Sequence, residues 1–180
     1  MNRKFLILFL AMTTATAALA QTPPAAPAAA PAAAPAPQQQ ALPPEKTVPL
    51  PLALEAVQTA LDSCKAANSL AAVEVMDLNL NIKAMLVADG ARPALSDLAR
   101  RKAYTVIKKS MSSGDFGKSV GNIPRGTIIE GDPNLITFAG AVPIKRGDTM
   151  IGAISVSGPT GAPADEACAQ AGLDKIKGRL

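Results

Sequence analysis

The chain has 180 residues, 48% of them hydrophobic and 3% aromatic, and carries 18 Lys and Arg against 14 Asp and Glu for a formal net charge of +4. It contains no His, no Trp and two Cys. Without imidazole there is no Ser-His-Asp triad and no Cys-His pair, and two Cys alone make neither a zinc nor an iron–sulfur site.

Residues 1–20, MNRKFLILFLAMTTATAALA, read as a secretory signal peptide. Arg3 and Lys4 form the basic start, Phe5 to Met12 the apolar run, and Ala18-Leu19-Ala20 the small-residue cleavage site. The expectation is a periplasmic or secreted protein, cut before Gln21. The apolar run is too short to span a bilayer, and no later stretch reaches the roughly 18 apolar residues that a spanning helix needs. Cleavage removes two basic residues and leaves 16 against 14 acidic ones, a net charge of +2. That excess is too small to imply a general polyanion-binding surface.

Residues 21–45 are almost all Pro, Ala and Gln. They lack the large apolar side chains that a core needs, and their prolines remove backbone donors, so a disordered linker is expected. Residues 46–180 are long enough for one domain with a sizeable core.

Within that domain, PLALEAVQTALDSCKAANSL predicts a helix with Leu54, Val57, Leu61 and Cys64 on one face and a stop at Asn68. AAVEVMDL and NIKAMLVAD predict an antiparallel hairpin, with Asn79 and Asn81 suited to its turn. A second helix follows from about Ala94 to Met111, with Pro93 at its start and Leu95, Leu98, Ala99, Ala103, Val106, Ile107 and Met111 as its apolar stripe. SSGDFGKSVGNIPRGTIIEGDPN is rich in Gly, Ser, Asp and Pro and predicts a long loop with at most a short element. Further strands lie in NLITFAGAVPIKRGDTMIGAISVSG, with Gly147-Asp148 as a turn. PADEACAQAGLDKIKGRL predicts a closing helix with Asp165 as its cap and Lys175 and Lys177 near its C-terminus. Short hairpin connections favour an antiparallel sheet and an α+β fold.

The ordered set formed by ADGA, SDLARRKAYT, GAVPIKRGDTMIGAISVSG and DEACAQAGLDKI resembles the GlcG/HbpS family over residues 48–177. The resemblance implies a profilin-like fold, an antiparallel sheet of about five strands with the terminal helices packed on one face. It also implies a haem-binding or haem-degrading domain, often a homo-oligomer. Three details depart from the family pattern: the turn reads LNLN, Ala139-Gly140-Ala141 precedes VPI, and Ser155 replaces a more usual Gly. Some relatives bind haem iron through His, which this chain lacks.

The basic helix carries the candidate site. Arg100 and Tyr104 are i, i+4 neighbours, and Arg101, Thr105 and Lys108 fall together on a face turned from the apolar stripe. Two readings stand: a solvated face with Asp97 pairing Arg101, or a site for carboxylates such as haem propionates, which guanidinium forks match. Asp89 and Gly90 of ADGA either cap the helix or line the same site. The expected ligand-binding set is therefore Asp89, Gly90, Arg100, Arg101, Tyr104 and Thr105. No catalytic residue is expected, and no metal ligand is assigned. Nucleic acid is not expected, because stacking aromatics are missing. Cys64 and Cys168 fall in the two terminal helices. In an oxidising compartment they are disulfide candidates, the alternative being two buried thiols.

The functional expectation is an exported binding module for haem or a related small anionic molecule. The alternatives are a non-catalytic oligomeric accessory protein of glycolate-type hydroxy-acid metabolism and, ranked last, a haem-degrading enzyme.

Overall fold

The computed structural model describes residues 46–180. The expected signal peptide and the expected Pro/Ala-rich linker, residues 1–45, lie outside the described residues. Among those described, no helix is long and apolar enough to cross a membrane.

Helix α1 (Leu50–Ala66) starts on Pro49 and Pro51 and ends before Asn68, which takes a φ of 55°. Its buried face is Ala53, Ala56, Val57, Ala60, Leu61 and Cys64. The expected stripe is rotated at its start, since Leu54 faces solvent and small alanines line the inside. The small residues let α1 approach the last helix, α5 (Ala162–Ile176). A Cβ on Gly172 of α5 would sit 2.5 Å from the Ala56 carbonyl and 3.0 Å from the Ala60 methyl. A disulfide between Cys64 and Cys168, with Cα atoms 5.5 Å apart, ties the two helices together.

The sheet has four antiparallel strands, β1 (Ala72–Asp77), β2 (Ile82–Val87), β3 (Ala141–Arg146) and β4 (Thr149–Ser157), in the order β2-β1-β4-β3. About five strands were expected. The residues before β3 do not join the ladder, because side chains of the second helix take up their backbone groups, as described below. The hairpin turn between β1 and β2 is organised by Asp77, whose carboxylate accepts from the backbone N–H of Asn79 (2.9 Å) and Asn81 (3.0 Å). The left-handed residue of that turn is Leu80, with φ 65°, and not an Asn. Gly147, with φ 57°, supplies the expected turn between β3 and β4.

Both faces of the sheet are covered. Helices α1 and α5 pack over Val73, Val75, Ile144, Ile151, Ile154 and Val156. Helix α2 (Ala94–Lys109) packs over the opposite face, against Ala72, Met76, Ala141 and Ala153. As a result every residue of β1 is buried. Helix α2 ends at Ser110 in the left-handed conformation, so Met111 lies beyond the helix and is exposed. The stretch expected to be a loop contains two one-to-two-turn helices, α3 (Ser113–Ser119) and α4 (Arg125–Gly131). The Ser112 hydroxyl starts α3 by accepting from the Asp115 N–H at 3.0 Å.

Candidate binding groove

Helix α2 sends its polar side chains to one chain segment, residues 132–136. Arg100 donates to Asn134 Oδ1 at 3.3 Å from both terminal nitrogens, and to Asp97 at 3.0 Å. Arg101 donates to the Leu135 carbonyl at 3.0 Å. The Tyr104 hydroxyl donates to Asp132 at 2.8 Å. Thr105 is fully buried, and its hydroxyl donates to the Arg101 carbonyl and accepts from the Ile136 N–H at 2.9 Å. Arg101 and Thr105 thus satisfy backbone groups of an irregular segment, while Arg100 and Tyr104 hold its side chains.

This corrects the expected helix face. Thr105 is inside, and Asp97 pairs with Arg100, not Arg101. The Asp132 hydrogen bond, with lesser help from burial, raises the Tyr104 phenol above its usual range. Asp132 is held below the usual carboxylate range, first by the Asn134 N–H and then by Tyr104. Asp89 and Gly90 do not join the group. Asp89 is exposed and makes no side-chain hydrogen bond among the described residues, and Gly90 lies near Leu70. Helix α2 starts on Pro93 with no side-chain cap, so Asp89 does not cap it.

Lys102, which follows the two arginines in the sequence, is buried. Its ammonium donates to Asp165 at 2.7 Å and to the Val156 carbonyl at 2.9 Å, which fastens α2 to α5 at the end of β4. Asp165 is therefore an internal ion-pair partner and does not cap α5, which starts on Gly161. Burial lowers the Lys102 pKa and raises that of Asp165, and their contact opposes both shifts. Gly140, with φ 133°, makes room for the pair: a Cβ there would meet the Lys102 ammonium at 2.6 Å.

A concavity lies beside this clasp. An open groove of about 670 Å³ runs between α3, residues 137–139 and the first turns of α5. Gly114, Gly117, Ala139, Ala162 and Ala167 give it smooth apolar walls, and Lys118, Glu166 and Gln170 give it polar edges. Gly117 lets α3 lie directly against the Thr137 carbonyl. Thr137 and Phe138 also line a smaller cleft of about 100 Å³, together with Arg101, Arg125 and Ile128. The Arg125 guanidinium stacks over the Phe138 ring at 4.3 Å. The two hollows thus share a wall, and cations stand on both sides of it.

A family model described as haem degrading protein HbpS-like matches residues 48–174. The chain belongs to the HbpS-like family. HbpS of Streptomyces reticuli, crystallised as a double mutant, is 27% identical; the match covers 83% of this chain and 99% of that one, with a TM-score of 0.67. The Klebsiella pneumoniae protein ORFY is 22% identical, with 81% and 97% covered and a TM-score of 0.68. PduOC, solved as a haem complex, is 19% identical, with 72% and 95% covered and a TM-score of 0.66. The last two show likeness of fold alone. No curated protein matches the chain.

The groove of this HbpS-like chain fits a haem in three respects. Its volume lies within the roughly 300–1,000 Å³ of small-molecule sites, its walls are apolar, and Lys118, which pairs with Asp115, and Arg125 stand on either side of Phe138. For the iron it offers the Glu166 carboxylate, since its lining holds no His, Cys, Met or Tyr. Among the described residues there is no cluster of three metal-binding side chains.

Three features escape a reading of the sequence alone: Lys102, the groove, and Glu74 on β1. Lys102 does carry a signal, because it stands three residues after Ala99 and four before Val106, on the buried stripe. The groove carries none, since its lining comes from three separate segments.

Proposed function

We propose that this domain is an exported, non-catalytic binding module that takes haem, or a similar flat molecule bearing carboxylates, into the groove between α3, residues 137–139 and α5. The observation that carries the reading is the pairing of apolar walls with cations at Lys118 and Arg125 on either side of Phe138. Phe138 is partly exposed and offers a ring face to a macrocycle. Arg101 lines the smaller cleft with Leu135 and Ile136, and Arg100, Tyr104 and Thr105 hold residues 132–136, which lead into the groove wall at Thr137. Membership of the HbpS-like family supports haem as the guest. Bound haem would supply redox-active iron to the groove. The protein's part is to exclude water from one macrocycle face and to hold the propionates with charge-assisted hydrogen bonds. Haem titrated into the purified domain and followed at the Soret band tests the reading. A saturable shift at micromolar haem supports it, and no shift, with or without reductant, removes haem from the account.

A second reading, self-association into an oligomeric accessory protein, is compatible with the first. Strand β2 is at the sheet edge and leaves Ile82 (49% exposed) and Val87 (45%) in solvent, with Leu70 (45%) also bare. A long apolar edge of this kind invites strand pairing with another copy. Light scattering of wild type and an Ile82→Lys, Val87→Lys variant tests it: the expected oligomer dissociates in the variant, and a wild-type monomer rules it out.

A further inference from the structure

Glu74 stands at the middle of β1 and is completely buried. Among the described residues, neither carboxylate oxygen has a hydrogen-bond partner. Its neighbours across the ladder are Met85 of β2 and Ser155 of β4, and the Ser155 hydroxyl turns to the Glu74 backbone carbonyl. The charged groups around it are few. β4 has none, and α1 packs on the opposite face of β1. β2 brings Lys83, which is half-buried. On α2, Arg101 is taken by the Leu135 carbonyl, Lys102 by Asp165, and Asp97 lies at the exposed surface with Arg100. Arg100 is the cation whose field acts on the Glu74 carboxyl.

Arg100 also pins Asn134, and the Asn134 N–H donates to Asp132 at 2.9 Å, the residue that accepts from Tyr104. A short chain of contacts therefore runs from Arg100 to the segment that leads into Thr137 and Phe138, and the field of Arg100 links it to Glu74. A buried carboxyl without a donor is tolerable when neutral and costly when charged, because desolvation falls on the charged form.

We propose that Glu74 is a proton-linked latch on residues 132–136. With the carboxyl protonated, Arg100 stays on Asn134, the arrangement observed. When the proton leaves to solvent, the buried anion draws Arg100 away from Asn134, and the Asp132–Tyr104 contact loosens with it. Burial raises the Glu74 pKa to about 7, against the pull of Arg100, so both forms are populated near neutrality. The latch acts on the segment that leads into the groove wall at Thr137, and it does not depend on haem being the guest.

The chain provides its own reporter, because Tyr104 is its one tyrosine and there is no tryptophan. Tyrosine emission of the ligand-free protein, titrated between about pH 5.5 and 8.5, brackets the Glu74 range. Asp132 titrates below that window and Tyr104 above it. The expected result is one step centred near pH 7 in the wild type, no step in Glu74→Gln, and no step in Arg100→Met, which lacks the moving cation. A flat wild-type trace from folded protein overturns the proposal. So does a step that survives in either variant. If Glu74→Gln fails to fold by circular dichroism, Arg100→Met decides alone, since its side chain sits at the surface edge.

Discussion

Asp165→Ala is the sharpest perturbation of the clasp between α2 and α5. It deletes the carboxylate but leaves the Lys102 ammonium, with side-chain exposure of 3%, beside only one carbonyl, that of Val156. The ammonium lies close against the Gly140 backbone, where an added Cβ would sit 2.6 Å from it. Removing one partner of a buried ion pair costs about 3–5 kcal/mol, mostly as the penalty of the charge left behind. At roughly 4 °C per kcal/mol for a domain of this size, Tm falls by about 12–20 °C. Urea unfolding followed by far-ultraviolet circular dichroism, with the disulfide intact, measures the loss. The double variant Lys102→Met, Asp165→Leu removes both charges, and stability should return to within about 2 kcal/mol of wild type, because apolar replacement of a buried pair is often neutral. A loss below about 1 kcal/mol in Asp165→Ala, or a double variant as unstable as the single, refutes the reasoning.

Three other outcomes follow from the same structure. Glu74 has a folded pKa of about 7 against an ordinary 4.5, so the folded state binds the extra proton between those values and wild-type stability falls as pH rises through that window. Glu74→Gln lacks this loss, so denaturant titrations should find the two equal near pH 4 and the variant ahead by about 3 kcal/mol above pH 8. Reducing the Cys64–Cys168 bond opens a loop with a sequence separation of 104 residues. By loop entropy this should cost about 4–5 kcal/mol, read as a drop in Tm with added thiol reductant, and an unchanged Tm would contradict the tie between α1 and α5. Tyr104→Phe leaves Asp132 without its hydroxyl donor, so the wall segment should show faster amide exchange at residues 132–136 with a global stability loss of about 1 kcal/mol or less.

The parts of the fold legible in the sequence are those whose signals are local. The hairpin of β1 and β2, the Gly147 turn and the two terminal helices each rest on periodicity or turn chemistry within about twenty residues. The strand count was not legible. The stretch NLITFAG ahead of β3 reads as strand, but Arg101 takes the Leu135 carbonyl and Thr105 the Ile136 N–H from a helix some thirty residues earlier. Lys102 and Glu74 are charged residues at inward positions of the period: spacing puts Lys102 on the stripe with Ala99 and Val106, and strict alternation puts Glu74 on one face with Ala72 and Met76. Both are buried because helices cover both faces of the sheet, a tertiary fact. The arginines and Tyr104 were legible as a cluster, but their partners were not. Most of their donors are spent inside the protein, and the groove next to them is built from glycines and alanines with no motif.

The central claim is that the hollow between α3, residues 137–139 and α5 holds the guest. Haem titrations at the Soret band on wild type and on Ala167→Trp test it most directly, because Ala167 is exposed on the groove wall and an indole there fills the space without touching the core. Saturable wild-type binding that weakens at least about tenfold in the variant, a loss of roughly 1.4 kcal/mol, is the predicted result. Equal affinity in the two proteins would place the guest elsewhere and contradict the account.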